Sequence, residues 1–300
     1  MSFFPGFERR RVSVGAVGIN LRIGGSGAPL LLLHGYPQTH LAWHAVAPEL
    51  ARHFTVICPD LKGYGDSDAP APDTDSIAYS KRVMGGEMLA LMAALGYSRF
   101  AIVGHDRGAR VAYRMALDHP AAVTKLGILD VIPTAEQWDV ADKAFSQGVF
   151  HWGFLARGGG LPERLIGHDP DFFQDHLVRS WSGNYAALDP AALAEYRRCF
   201  RKPENLAASC ADYRAGYTID DAQDRADRAA GRKITCPLLV VTGEEYLKTG
   251  PNSALETWKR WATDVRGEVL ACGHFVMEEK PREVLAALIP FLTSGATANP

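Results

Sequence analysis

The stretch FAIVGHDRGARVAYR, residues 100–114, reads as an apolar run, a tight turn flanked by glycines, and the start of a helix. Phe100 to Val103 is uninterrupted and apolar, as a strand buried on both faces requires. In Gly104-His105-Asp106-Arg107-Gly108 the small residues on either side of Asp106 permit a sharp strand-to-helix turn that exposes this one side chain. Ala109 to Leu117 then has helical spacing. The same rhythm recurs outward: Leu30 to Leu33 before His34-Gly35, Phe54 to Cys58 before Pro59-Asp60, and Lys125 to Leu129 before Asp130. Leu238 to Val241 precedes Thr242-Gly243, and Val269-Leu270 precedes Cys272-Gly273-His274. Helical segments, clearest at Tyr79 to Leu95 and Pro281 to Leu292, separate most of these runs, which predicts an α/β chain with a mostly parallel central sheet and helices on both faces. Val12, Val14, Val17 and Leu21 among Gly15, Gly18 and Gly24 predict a small antiparallel edge.

The strand rhythm stops near Pro133 and resumes near Ile234. The residues between are rich in Trp, Tyr, Phe, Arg and Asp at helical spacing, so residues 134–233 are expected to form an inserted helical cap, with 1–133 and 234–300 forming the core domain. Gly158-Gly159-Gly160 and the stretch from Gly183 to Pro190 are read as its turns. Asp220 to Lys233 is read as a charged helix with a solvated outer face. In the 300-residue chain, 32 Lys plus Arg against 34 Asp plus Glu give a formal charge of -2, so no net basic field exists to hold nucleic acid or an anionic membrane. Any anion must be captured by local cations. The five cysteines contain no C-x-x-C pair and suggest neither a disulfide framework nor a zinc site, which fits a reducing cytoplasm. No stretch approaches the ~20 apolar residues of a membrane span, so the chain is expected to be neither secreted nor membrane-bound.

At an elbow of this kind the central residue is usually a serine nucleophile, and here Asp106 takes its place. Such a hydrolase also needs oxyanion donors, a base, and an acid behind the base. The backbone amides of Tyr36, after His34-Gly35, and of Arg107 are the expected oxyanion donors. His274 follows the last strand, where the base belongs. Two places can supply the acid: Asp130, ending the strand after the nucleophile's, and Glu244 or Glu245 after the Leu238 strand. Tyr246 stands where an Asp often sits in this architecture, which makes Asp130 the better partner.

These residues, together with HGYPQTH at 34–40, DLKGYGDSD at 60–68, GHDRGARVAYR at 104–114, LDVIPT at 129–134, HWGFLA at 151–156, DYRAGY at 212–217 and GHF at 273–275, closely resemble the fluoroacetate (haloacetate) dehalogenases of the α/β-hydrolase superfamily. The resemblance spans nearly the whole chain. It implies an α/β-hydrolase fold with Asp106 as nucleophile, His274 as base and Asp130 as its orienter. It further implies Arg107 and Arg110 as ligands of the substrate carboxylate, and His151, Trp152 and Tyr213 as halide ligands. A homodimer with no cofactor, acting on a small anionic haloacid, is also implied.

Elementary chemistry agrees with these residue types. A carboxylate needs no deprotonation at neutral pH and can displace a leaving group from saturated carbon, forming an ester that water then hydrolyses. An anionic nucleophile repels an anionic substrate, and Arg107 and Arg110, three residues apart, are spaced to bring two guanidinium groups to one helix face. Haloalkane dehalogenases and epoxide hydrolases resemble GHDWG at this motif, with Trp where Arg107 stands. His151, Trp152 and Tyr213 can all donate hydrogen bonds, which a strongly hydrated leaving fluoride needs. Trp181 and Tyr36 are candidates for the pocket wall. His34, His105 and His168 are read as structural or surface residues, because no ligand-spaced partner suggests a metal. An epoxide hydrolase using the same Asp106, Asp130 and His274 is the alternative reading, and a non-catalytic ligand receptor built on this fold is a third.

Overall fold

The computed structural model describes residues 3–244 and 253–294. Among these residues eight strands form one sheet: β1 (Glu8–Val14), β2 (Val17–Gly24), β3 (Ala28–Leu33), β4 (Phe54–Pro59), β5 (Phe100–His105), β6 (Val123–Leu129), β7 (Leu238–Gly243) and β8 (Val265–Leu270). Their order is β1-β2-β4-β3-β5-β6-β7-β8. β1 and β2 form an antiparallel hairpin, β2 meets β4 antiparallel, and every later pairing is parallel. Leu30 to Leu33, Phe100 to His105 and Leu238 to Gly243 are buried, which is why they read as unbroken apolar runs. β8 begins four residues before its expected start. Arg266 and Glu268 interrupt the apolar pattern there, and an edge strand whose residues are largely exposed tolerates them.

The helices in chain order are α1 (Ala47–Leu50), α2 (Lys81–Ala94) and α3 (Asp106–Asp118), followed by α4 (Thr134–Asp139), α5 (Lys143–Gly148), α6 (His151–Leu155) and α7 (Leu161–Ile166). Next come α8 (Pro170–Trp181), α9 (Pro190–Phe200), α10 (Pro203–Ala215) and α11 (Asp221–Ala229), then α12 (Ala254–Trp261), α13 (Val276–Glu279) and α14 (Pro281–Thr293). Helices α4 to α11 all lie between β6 and β7 with no strand among them. Proline in the first turn and an aspartate cap start several of them: Asp169 and Asp189 accept the amides of Phe172 and Ala191. Among the described residues no helix is long and apolar enough to cross a membrane.

The charged segment at 220–233 has the expected solvated face, with Arg225, Arg228 and Arg232 exposed, and also a buried one. Asp220, Asp224 and Asp227 are buried. Arg114 of α3 reaches Asp224 at 2.9 Å and Asp227 at 2.5 Å, and the Tyr113 hydroxyl donates to Asp224 at 2.7 Å. A guanidinium buried on α3 needs carboxylates brought to it, and residues at helical spacing on α11 supply them.

Because β3 lies between β4 and β5, the chain leaves β3 in one direction and returns for β5 on its other side. In open α/β sheets the crevice at such a reversal is where ligands bind. His34-Gly35-Tyr36 leave β3 there, and Asp106 leaves β5.

Candidate active site

The elbow holds Asp106 in a left-handed conformation, with φ of 47°. Gly35 is required by the closeness of this turn: a Cβ on it would lie 2.4 Å from the Cβ of Asp106. The Tyr36 amide donates to Asp106 Oδ1 at 2.8 Å. Arg107 follows in the first turn of α3, where a helix leaves its amides without intrahelical acceptors.

His274 lies between two carboxylates. Its Nδ1 is 2.5 Å from Asp130 Oδ2, and its Nε2 is 3.7 Å from Asp106 Oδ2. Asp130, itself at φ 57°, accepts the Gly243 amide at 2.8 Å on its other oxygen. The structure therefore brings Asp130, rather than Glu244, to the imidazole. Glu244 is exposed, while Glu245 and Tyr246 lie outside the described residues. Burial opposes a charge on His274, yet the carboxylates of Asp106 and Asp130 outweigh it and lift the imidazole to about 9. Burial would also raise Asp106, but its contact with His274 holds the carboxyl well below the usual range. Asp130 is raised by burial, with the His274 and Gly243 hydrogen bonds opposing.

Arg107 and Arg110 are both buried, in unlike surroundings. Arg107 Nε and Nη2 donate to the two oxygens of Asp212 at 3.0 and 2.7 Å, and its guanidinium lies 4.3 Å from the centre of the Tyr213 ring. Asp212 also accepts from Lys81 Nζ and from the Tyr64 hydroxyl. Gly216 packs closely beside Arg107: a Cβ there would meet Nη2 at 3.0 Å and push on the guanidinium. Arg110 Nη1 instead donates to two neutral acceptors, the Ile132 carbonyl and Thr134 Oγ1, both at 3.0 Å, and its guanidinium lies 4.5 Å from the Trp152 ring. Among the described residues no carboxylate lies within ion-pair distance of Arg110. Arg107 Nη1 and Arg110 Nε are buried and have no hydrogen-bond partner among the described residues.

A cavity of about 570 Å³ opens over this floor, lined by Asp106, Arg110, Asp130, Trp152 and Trp181 together with residues of α4, α5 and the turns around them. His151, Tyr213, Tyr36 and Arg107 stand outside that lining as a packed group. The Tyr36 and His151 rings stack at 6.3 Å, Tyr213 meets both edge-on, and His151 lies 4.5 Å from Trp181. Burial pushes His151 down to about 3, so its imidazole is neutral, and its Nδ1 has no hydrogen-bond partner among the described residues. His34 and His105 have structural contacts: Leu61 N donates to His34, and His105 meets the His274 carbonyl.

Several residues of this site were not singled out from sequence. Asp212 lay inside DYRAGY, but its neighbours in sequence say nothing of Lys81 or Arg107. Thr134, which holds Arg110, and Glu279 also escaped notice. Glu279 accepts the amides of Gly273, Phe275 and Asn184, and so ties the His274 loop to the turn after α8. Among the described residues no cluster of three or more His, Cys, Asp or Glu side chains could hold a metal ion.

A family model described as alpha/beta hydrolase fold matches residues 28–281. The chain is 43% identical to a fluoroacetate dehalogenase of Burkholderia sp, over 97% of this chain and 96% of that protein. It is 33% identical to a soluble epoxide hydrolase of Corynebacterium sp. (strain C12), over 89% and 91% of the two chains. A solved structure of the alpha/beta hydrolase class from Nostoc sp PCC 7120 superposes with a TM-score of 0.94 at 47% identity, covering 98% of this chain and all of that one.

Proposed function

The chain belongs to the alpha/beta hydrolase fold family, and on that premise we propose that it is a hydrolytic dehalogenase of short 2-haloacids. The observation that carries this reading is the buried Arg110 guanidinium, with no carboxylate within ion-pair distance among the described residues, on the wall of the cavity that also holds Asp106. A buried cation without a counter-ion is costly, and a substrate carboxylate relieves that cost with charge-assisted hydrogen bonds. The likeness to a fluoroacetate dehalogenase supports the same substrate class.

In the proposed reaction Arg110 Nε and Arg107 Nη1 receive the substrate carboxylate. Asp106 Oδ2, the oxygen not held by the Tyr36 amide, attacks C2. The O–C2 bond forms as the carbon–halogen bond breaks, and the halide leaves with the bonding pair toward His151, Trp152 and Tyr213. Esterification removes the negative charge of Asp106, and with it part of what holds His274 at about 9. The imidazole then gives up its proton and takes one from water as that water attacks the ester carbon. Tyr36 and Arg107 amides stabilise the oxyanion at Oδ1. Collapse breaks the bond from the Asp106 carbonyl carbon to the alkoxide oxygen, which takes the proton from His274. The net change is haloacid plus water to hydroxyacid, halide and one proton. The proposal includes a homodimer, which sedimentation velocity tests.

A single turnover in oxygen-18 water tests the mechanism. Label entering Asp106, with halide released, is the expected result. Label found only in the hydroxyacid means direct attack by water and overturns it. Identity to a soluble epoxide hydrolase favours a second reading, in which Asp106 opens an epoxide and Tyr213 protonates the oxygen. Turnover of styrene oxide without halide release from chloroacetate would select it.

A further inference from the structure

We infer that the acid this site is shaped for carries an apolar group of several carbons on C2, a larger molecule than a haloacetate. The inference rests on the haloacid reading above and deepens it. A haloacetate has five heavy atoms, which fill at most on the order of 150 Å³ even if each takes the ~30 Å³ of a liquid water. The cavity measures about 570 Å³, within the ~300–1,000 Å³ of pockets that hold drug-sized ligands.

Its lining says what the remainder suits. Beyond Asp106 and Arg110, the walls are carried mainly by Val131, Val140, Phe145, Val149 and Trp152, with Gln137 and Ser180 as neutral polar neighbours. Of the acidic groups that reach it, Asp130 is bonded to His274 and Gly243, and Asp142 accepts the Phe145 amide at the start of α5. Two of the three proposed halide donors, His151 and Tyr213, stand outside this lining, while Trp152 belongs to both, so the space extends beyond the leaving-group site. With the carboxylate at Arg110 and the halogen turned toward His151, the third substituent of C2 is the one that faces this largely apolar cavity. Filling it removes apolar surface from water on both partners, which favours such a substituent by about fourfold in affinity per fully buried methylene.

Unreactive acids test this without relying on the chemical step. Acetate and hexanoate differ by four methylenes that would project from C2, and both can be titrated as competitors or by calorimetry. Hexanoate is expected to bind at least tenfold more tightly than acetate to the wild-type protein. Val140→Trp, which narrows the cavity, should bring the two within about threefold. Hexanoate binding no tighter than acetate overturns the inference, whether or not the variant folds. Halide release from chloroacetate and 2-chlorohexanoate is measured alongside. Its absence from both, with hexanoate still preferred, would sink the dehalogenase reading while leaving the apolar acid as the ligand. Release from chloroacetate alone, without the binding preference, would do the reverse.

Discussion

Arg107 and Arg110 lie one helical turn apart on α3, both fully enclosed, yet they stand in opposite electrostatic situations. Arg107 shares the Asp212 carboxylate with Lys81, and Asp220 lies 3.8 Å from the Lys81 ammonium, so two cations face two anions. Arg110 has a carbonyl, a hydroxyl and an aromatic face. The first arginine is part of the structure's own charge balance, and the second has no carboxylate within ion-pair distance among the described residues. Spacing alone puts two guanidinium groups on one face, but the partner of each decides which one presents its field to the cavity.

Substituting each with Leu separates the two. Arg110→Leu should lower kcat/KM for a haloacid by ~10- to 150-fold, the equivalent of a charge-assisted contact of ~1.5–3 kcal/mol, with the loss mainly in KM. Its stability should stay level or rise, because an uncompensated buried charge has been removed. Arg107→Leu should do the converse. It leaves Asp212 buried with Lys81 and Tyr64 and should cost stability near the lower end of the ~3–5 kcal/mol typical of a broken buried pair. Its kinetic loss should be the smaller of the two. Denaturant melts and steady-state kinetics on both variants check the crossing pattern. Equal effects on both measures would erase the distinction.

The contrast also explains what was readable before the structure. Strands β3 to β7 were legible because burial on both faces leaves unbroken apolar runs, and β8 was truncated because its exposed positions carry Arg266 and Glu268. Asp106, Asp130 and His274 each end or follow a strand, so a local pattern pointed to each, and the fold gathers them within hydrogen-bonding or ion-pair reach. The arginines were legible as a pair through their three-residue spacing. What distinguishes them was not, since Lys81 is 131 positions from Asp212 and no periodicity links them. The same blindness hid the inner face of α11, where Asp224 and Asp227 are buried behind the exposed Arg225 and Arg228. A run of charges looks alike whether it faces water or a buried Arg114.

A pH series sharpens the comparison, because His274 titrates beside these arginines in an accessible range. Its folded value of about 9 lies above the ordinary ~6.5, so the folded state holds this proton more tightly. The stability it contributes is fully present below about pH 6.5 and is lost as pH rises through about 9. Burial likewise lifts Glu278 to about 8, against the hydrogen bonds of Tyr196 and Gln38, and its contribution falls over the range ending there. The decline between pH 8 and 9 therefore belongs chiefly to His274. Melting temperature should drop over that interval in the wild type and in both arginine variants, and His274→Gln should flatten it. A variant of either arginine that also flattens it would show that the guanidinium groups and the imidazole act as one cluster.

The smallest expected effect concerns what holds Arg110 in place without a carboxylate. The Tyr113 hydroxyl has one proton, and the Asp224 carboxylate 2.7 Å away takes it. Tyr113 must then accept from its other neighbours, the Thr134 amide at 3.1 Å and the Thr134 hydroxyl at 3.0 Å. With its proton turned to Tyr113, the Thr134 oxygen offers its lone pairs to Arg110 Nη1. A buried anion on α11 thus orients a neutral acceptor for the arginine without neutralising it. Thr134→Val keeps the volume and deletes that oxygen. It should destabilise the fold by about 1 kcal/mol, as for one neutral hydrogen bond, and raise KM for a haloacid by about threefold to tenfold while kcat changes less. Thr134→Ser restores the oxygen and should restore KM. A Val variant that loses stability but keeps KM would mean that Thr134 packs the seam between β6 and α4 and does not position Arg110.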